Sequence, residues 1–149
     1  VYTVTPCYRE AIDACYNGTF SSELVAGWKE KLASVYNRGF WDGYYLGRKM
    51  GEWTDEYGSK ATKKKVYVGK GLRYFNKAGV GEFLMEAQSL SAGSEVLITG
   101  PVTGVVQALV KEIRVNDLVQ DTVKKGEVFS ILLNQKINPS DRLYKLVDA

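Results

Sequence analysis

The chain has 149 residues, a net charge of +3 and 45% hydrophobic residues. That is enough apolar material for one folded domain, or one small domain plus part of another, and too little net charge for wholesale disorder. Histidine is absent, which excludes Ser-His-Asp and Cys-His catalysis within these residues and removes the commonest general base. No apolar run reaches the roughly 18 residues that a membrane-spanning helix needs, so no membrane partner is expected.

Two cysteines, Cys7 and Cys15, stand on a predicted helix. At about 1.5 Å per residue they are roughly 12 Å apart, too far for a disulfide within one helix. A metal site needs more ligands, so they read as small packed thiols. The charge is unevenly placed: residues 1–57 carry −2 and residues 58–149 carry +5.

In chain order, Val1–Thr5 alternates and is expected to be a strand already under way; without a methionine start, the chain reads as a fragment of something longer. Thr5-Pro6 is a helix-start signal. Tyr8–Tyr16 is expected as helix, with Ala11, Ile12 and Cys15 on one face, ended by Asn17-Gly18. Ser21 or Ser22 caps a second helix to about Val35, with Leu24, Val25, Trp28, Leu32 and Val35 as its apolar stripe. Asn37 to Gly47 mixes three glycines with aromatic rings and predicts an irregular segment packed by those rings. Within it Arg38 is expected in a salt bridge or over a ring, with anion contact as the alternative. Gly51–Lys60 is polar and reads as a linker.

From Lys60 to Lys77 there are seven cations, Lys60, Lys63, Lys64, Lys65, Lys70, Arg73 and Lys77, and no acid, with Tyr67, Tyr74 and Phe75 interleaved. Charge for phosphates and rings for bases is what a nucleic-acid surface requires. A run such as Lys63-Lys64-Lys65 also serves as a solvated linker. The candidate RNA- or anion-binding residues are Lys63, Lys64, Lys65, Lys70, Arg73, Tyr74 and Lys77.

Val66 to Ala149 is the β part. Phe83, Met85 and Ala87 alternate against Glu82 and Glu86, and Val96 and Ile98 against Glu95, Leu97 and Thr99. Gly100-Pro101 and Gly104 turn the chain. Val105–Val115 is long enough to need a bend, Asn116-Asp117 is a hairpin turn, and Val128–Leu133, apolar on both faces, predicts a central strand. Six or seven short strands at this spacing favour a closed or nearly closed antiparallel barrel. The fold class is therefore α+β, in three parts: 1–58, a strand, two helices and the Gly/aromatic segment; 59–65, a basic linker; and 66–149, a small β-barrel.

Two sets of residues resemble a known family. Tyr8-Arg9-Glu10-Ala11-Ile12-Asp13, with Asn37-Arg38-Gly39-Phe40 and Gly43, is similar to the end of the catalytic region in the peptidase U-32 (collagenase-like) family. Gly79-Val80-Gly81-Glu82, Gly93–Pro101 with Thr103-Gly104, Lys125-Gly126-Glu127-Val128 and Asp141–Lys145 are similar to that family's C-terminal barrel, which resembles the second domain of elongation factor Tu. The resemblance covers nearly the whole chain.

It implies a cytoplasmic protein with an upstream catalytic domain in the same chain. Members are classed as peptidases, some as collagenases; others act in hydroxylation of tRNA, ribosomal RNA or ubiquinone. The hydroxylating members hold an iron–sulfur cluster on upstream cysteines, and neither Cys7 nor Cys15 sits in such a motif, so no cofactor is expected here. Asn37 and Arg38 carry over as motif residues for packing or anion contact. The function expected is an accessory, non-catalytic domain that binds substrate, with tRNA or rRNA favoured. The alternatives are a peptidase-associated domain positioning a protein substrate, or a purely structural or oligomerising barrel.

Overall fold

The computed structural model describes residues 1–40 and 58–149. The aromatic run from Trp41 to Gly47 and most of the polar stretch that follows it lie outside the described residues. The chain divides into two compact units, residues 1–64 with 148–149, and residues 65–147.

The first unit holds helix α1 (Val4–Tyr16) and helix α2 (Ser22–Ala33). The strand expected at Val1–Thr5 is not formed, since Val4 is already helical. Pro6 falls within the first turn, where a missing N–H breaks no intrahelical bond, so the helix extends past it to Val4. Gly18, with φ +68°, ends α1 as expected. Ser21 caps α2, its Oγ accepting from the Leu24 N–H at 3.3 Å. The helices pack through buried Cys7, Ala14 and Trp28, with Ala11, Val25 and Leu32 against them. Trp28 Nε1 donates to Glu10 Oε2 at 2.9 Å, so the indole is buried without losing its polar contact. Cys15, expected to pack, is exposed.

The second unit is built from ten antiparallel strands: β1 (Lys63–Phe75), β2 (Val80–Met85), β3 (Leu90–Ser91), β4 (Glu95–Gly100), β5 (Gly104–Leu109), β6 (Ile113–Val115), β7 (Leu118–Gln120), β8 (Thr122–Val123), β9 (Val128–Leu132) and β10 (Arg142–Asp148). Eight form one sheet in the order β5-β4-β10-β1-β2-β9-β6-β7, and β3 pairs with β8. Lys63, Lys64 and Lys65, read above as a linker, are the first residues of β1. Their extension into the ladder follows from the β-branched and aromatic residues that come directly after them.

Alternation sets which side faces in. Phe83, Met85, Val96, Ile98, Phe129 and Ile131 are buried, and the Phe83 and Phe129 rings stack at 5.7 Å. The Val105–Val115 run is interrupted as anticipated, β5 ending at Leu109 and β6 starting at Ile113. Asn116 and Asp117, at φ 50° and 64°, form the two-residue loop between paired Val115 and Leu118, the geometry of a type I′ hairpin. The strand centred on Phe129 is interior to the sheet, between β2 and β6.

Closure is the point of difference. Among the described residues β5 and β7 stand at the two ends of the sheet and do not pair with each other. Toward the β7 end the chain uses three-residue strands, β6 and β7, and it commits Leu90–Ser91 and Thr122–Val123 to a separate ribbon. The three residues of β7 offer too short a ladder to match the six of β5.

Candidate functional site

Much of the basic stretch is woven into the sheet, and acids from elsewhere in the sequence meet two of its cations, Lys70 and Arg73. Lys70 Nζ lies 2.8 Å from Glu86 Oε1, and the Tyr67 hydroxyl donates to Glu86 Oε2 at 2.5 Å. Arg73 grips Glu82 with both ends of its guanidinium, at 2.7 and 3.1 Å, and lies 4.9 Å from the centre of the Phe75 ring. Lys65 Nζ stands 4.9 Å over Tyr144, whose ring meets Tyr67 edge-on at 5.7 Å. Tyr74 donates its hydroxyl to the Leu133 carbonyl at 3.2 Å and packs against the core. Lys63, Lys64 and Lys77 are exposed.

Two of the seven candidate residues, Lys70 and Arg73, are thus held in ion pairs within the sheet. The β1–β2 register sets Arg73 opposite Glu82, and the hairpin end brings Glu86 to Lys70. Both acids come from β2 or the residues just past it, outside the acid-free stretch.

The Tyr67–Glu86–Lys70 cluster has a pH signature. The hydrogen bonds from Lys70 and Tyr67 hold the Glu86 carboxyl below its ordinary value. Conversely, the Glu86 carboxylate, with partial burial, pushes the Tyr67 phenol up to about 12. A raised phenol stabilises the fold fully below its unfolded value near 10 and loses that contribution as pH climbs toward 12. The lowered carboxyl contributes above its unfolded value and is lost as pH falls through its folded value. In carbon NMR of labelled tyrosine rings, Tyr67 should titrate near 12, and Glu86→Gln should bring it back toward the exposed tyrosines. A Tyr67 that titrates with the others in the unaltered protein would show that the cluster does not form in solution.

A second constellation, not singled out from the sequence, lies in the motif residues themselves. Asp141 is 2% exposed, a buried acid. Its Oδ2 accepts from the Thr103 hydroxyl and, at 2.8 Å, from the Asn138 N–H. Asn138 Nδ2 donates to Thr103 Oγ1 at 2.8 Å. The Asp141 carbonyl accepts from the Gly71 N–H at 2.7 Å, and the Gly71 carbonyl from the Ser140 N–H at 2.9 Å. Two turns and a strand are thereby fastened together: the Gly100–Gly104 hairpin, the Asn138–Asp141 turn and β1 at Gly71. Asn138-Pro139-Ser140-Asp141 is a strong turn sequence, and a buried acid closing such a turn was the available signal.

In the helical unit Asn37 is committed to packing. Its Nδ2 donates to the Val35 and Ala33 carbonyls at 2.8 and 3.3 Å, and its Oδ1 accepts from the Gly39 N–H at 3.0 Å. Arg38 is exposed, and among the described residues its Nε donates to the Tyr36 hydroxyl at 3.3 Å. On α1, Tyr8, Ile12 and Tyr16 are 63%, 60% and 92% exposed. With Ala11 and Cys15 they line an open, apolar surface hollow.

Residues 1–55 match the model of peptidase family U32. A collagenase of Porphyromonas gingivalis is 52% identical over 145 residues, the match covering 97% of this chain and 35% of that protein. An uncharacterized protease of Methanocaldococcus jannaschii is 32% identical over 152 residues, covering 100% of this chain and 37% of that protein. The chain thus spans about a third of the length of these curated relatives. In fold it resembles the crystal structure of the C-terminal domain of a Geobacillus thermoleovorans protein classed as a U32 peptidase. That likeness has a TM-score of 0.50 at 17% identity and covers 53% of this chain and 90% of that domain.

Proposed function

Since the chain belongs to peptidase family U32, we propose that residues 65–147 form a substrate-binding module that works beside a catalytic region, and that the substrate it holds is polypeptide. The observation that carries the choice is the pairing of Lys70 with Glu86 and of Arg73 with Glu82. A phosphate chain needs cations whose charge is not already met, and two central members of the basic stretch have theirs met within the sheet. The names of the relatives, a collagenase and a protease, support polypeptide as the substrate class.

The module is not catalytic in this reading. Its one buried acid, Asp141, spends its Oδ2 on Thr103 and Asn138. In this reading the exposed Tyr8, Ile12 and Tyr16 of the helical unit are covered by the remainder of a longer family protein.

RNA is the second reading, and one observation favours it: Lys65 above Tyr144, beside exposed Lys63 and Lys64, pairs cation and ring as single-stranded nucleic acid requires. Titration of the chain with gelatin peptides and with bulk tRNA, each at about 50 and 200 mM salt, separates the readings. Polypeptide binding that changes little with salt is expected. Salt-steep tRNA binding, with log K falling by about 0.7 per phosphate against log salt, would replace this reading with the RNA one. Binding to neither would leave the unit a structural one.

A further inference from the structure

We infer that the free edge of β5, Gly104–Leu109, is a docking edge for an extended polypeptide, which adds to the sheet as one further antiparallel or parallel strand. This rests on the polypeptide reading above and names how that substrate is held.

Among the described residues β5 pairs with β4 alone and ends the sheet. A terminal strand presents a row of main-chain donors and acceptors, a template for another strand. Folded proteins usually blunt such an edge with a charge, a proline or a short strand. The opposite end of this sheet is blunted in that way: β7 has three residues, with Asp117 before it and Asp121 after it. By contrast β5 has six residues, Gly-Val-Val-Gln-Ala-Leu, with no charge and no proline.

The two faces of β5 differ as a docking edge requires. Val106 is buried, anchoring the strand to the core, while Leu109 is 57% exposed. Val105, Gln107 and Leu109 share the outward face with Thr99, Leu97 and Glu95 of β4, their partners in register. Gln107 donates to Glu95, which meets that acid within the shelf.

The chemistry selects the occupant. A ladder of alternating N–H and C=O groups matches another main chain and nothing else at that spacing. The six residues of β5 bring no cationic side chain to draw a phosphate backbone. Side chains of the added strand that point outward would lie along Val105, Gln107 and Leu109, which gives a preference for small or apolar residues at alternate positions. Main-chain pairing supplies the affinity and makes it tolerant of sequence.

The test uses the 149-residue chain and reduced, carboxymethylated α-lactalbumin as an unfolded polypeptide probe. Hydrogen exchange over residues 104–109 should slow at least tenfold on saturation with the probe. Gln107→Lys and Leu109→Lys, both at exposed outward positions, should weaken binding about tenfold or more while leaving the thermal midpoint in place. Probe binding with no protection at 104–109, and with both variants binding normally, would overturn the edge while leaving the polypeptide reading intact. No probe binding at any concentration reached would overturn both. Protection of 104–109 that depends on protein concentration and not on probe would assign the edge to a second copy of the chain, and would overturn the proposal.

Discussion

Replacing Asp141 with alanine is expected to destabilise the sheet unit by about 2–4 kcal/mol. The cost comes from the donors left behind: the Thr103 hydroxyl and the Asn138 N–H are half-buried and both point at a carboxylate that is itself buried. Each stranded buried group costs about 1–3 kcal/mol. Gly100 gives the test its sharpness. A Cβ there would sit 1.7 Å from Asp141 Oδ1 and 2.5 Å from its Cγ, and that carboxylate cannot swing aside without leaving its partners. Gly100→Ala alone should therefore cost about 3 kcal/mol, at the upper end of overpacking. In the Asp141→Ala background the obstructing atoms are gone, and the same glycine change should cost at most about 1 kcal/mol. Urea unfolding of the two single variants and the double measures the cycle. Simple additivity would show that the carboxylate does not occupy the place against Gly100.

Gly69→Ala is expected to be as damaging, for a reason no neighbour can relieve. Gly69 pairs with Met85 across β1 and β2, and a Cβ there would meet the Leu84 carbonyl oxygen at 2.0 Å. That atom is backbone, so accommodation means parting two strands at the centre of the sheet, beside fully buried Val68 and Met85. A loss of about 3 kcal/mol or more follows, with a fall in melting temperature of about 12 °C or more for a unit of this size. Gly27→Ala is the counterpart. It lies inside α2 with nothing within 4 Å of the added carbon, and alanine there should stabilise by about 0.5–1 kcal/mol. Thermal melts of the two variants should move in opposite directions. A Gly69→Ala protein that melts with the parent would mean that the β1–β2 approach is looser than the register implies.

Lys70 and Arg73 were legible as cations and not as members of ion pairs. Lys70 and Arg73 are separated by three positions from each other but by sixteen and nine from the acids that meet them, Glu86 and Glu82. An acid-free window in sequence says nothing about which acids fold back on it. The same holds for Asp141: as part of a turn it was readable, but its burial depends on Thr103, 38 positions away.

Local chemistry alone was sufficient for the features that depend on neighbours a few residues apart. The Asn116-Asp117 turn, the Ser21 cap, the stop at Gly18 and the inward face of Val96 and Ile98 follow from backbone preference and period-two alternation. Family membership was also readable, because the order and spacing of the glycines and turn residues survive without any knowledge of contacts. Only the tertiary structure decided which charges are neutralised, which acid is buried, and where the sheet ends. Each of these is a relation between residues distant in sequence, set by strand register and by the lengths of the strands that end the sheet, and neither quantity is encoded at any one position.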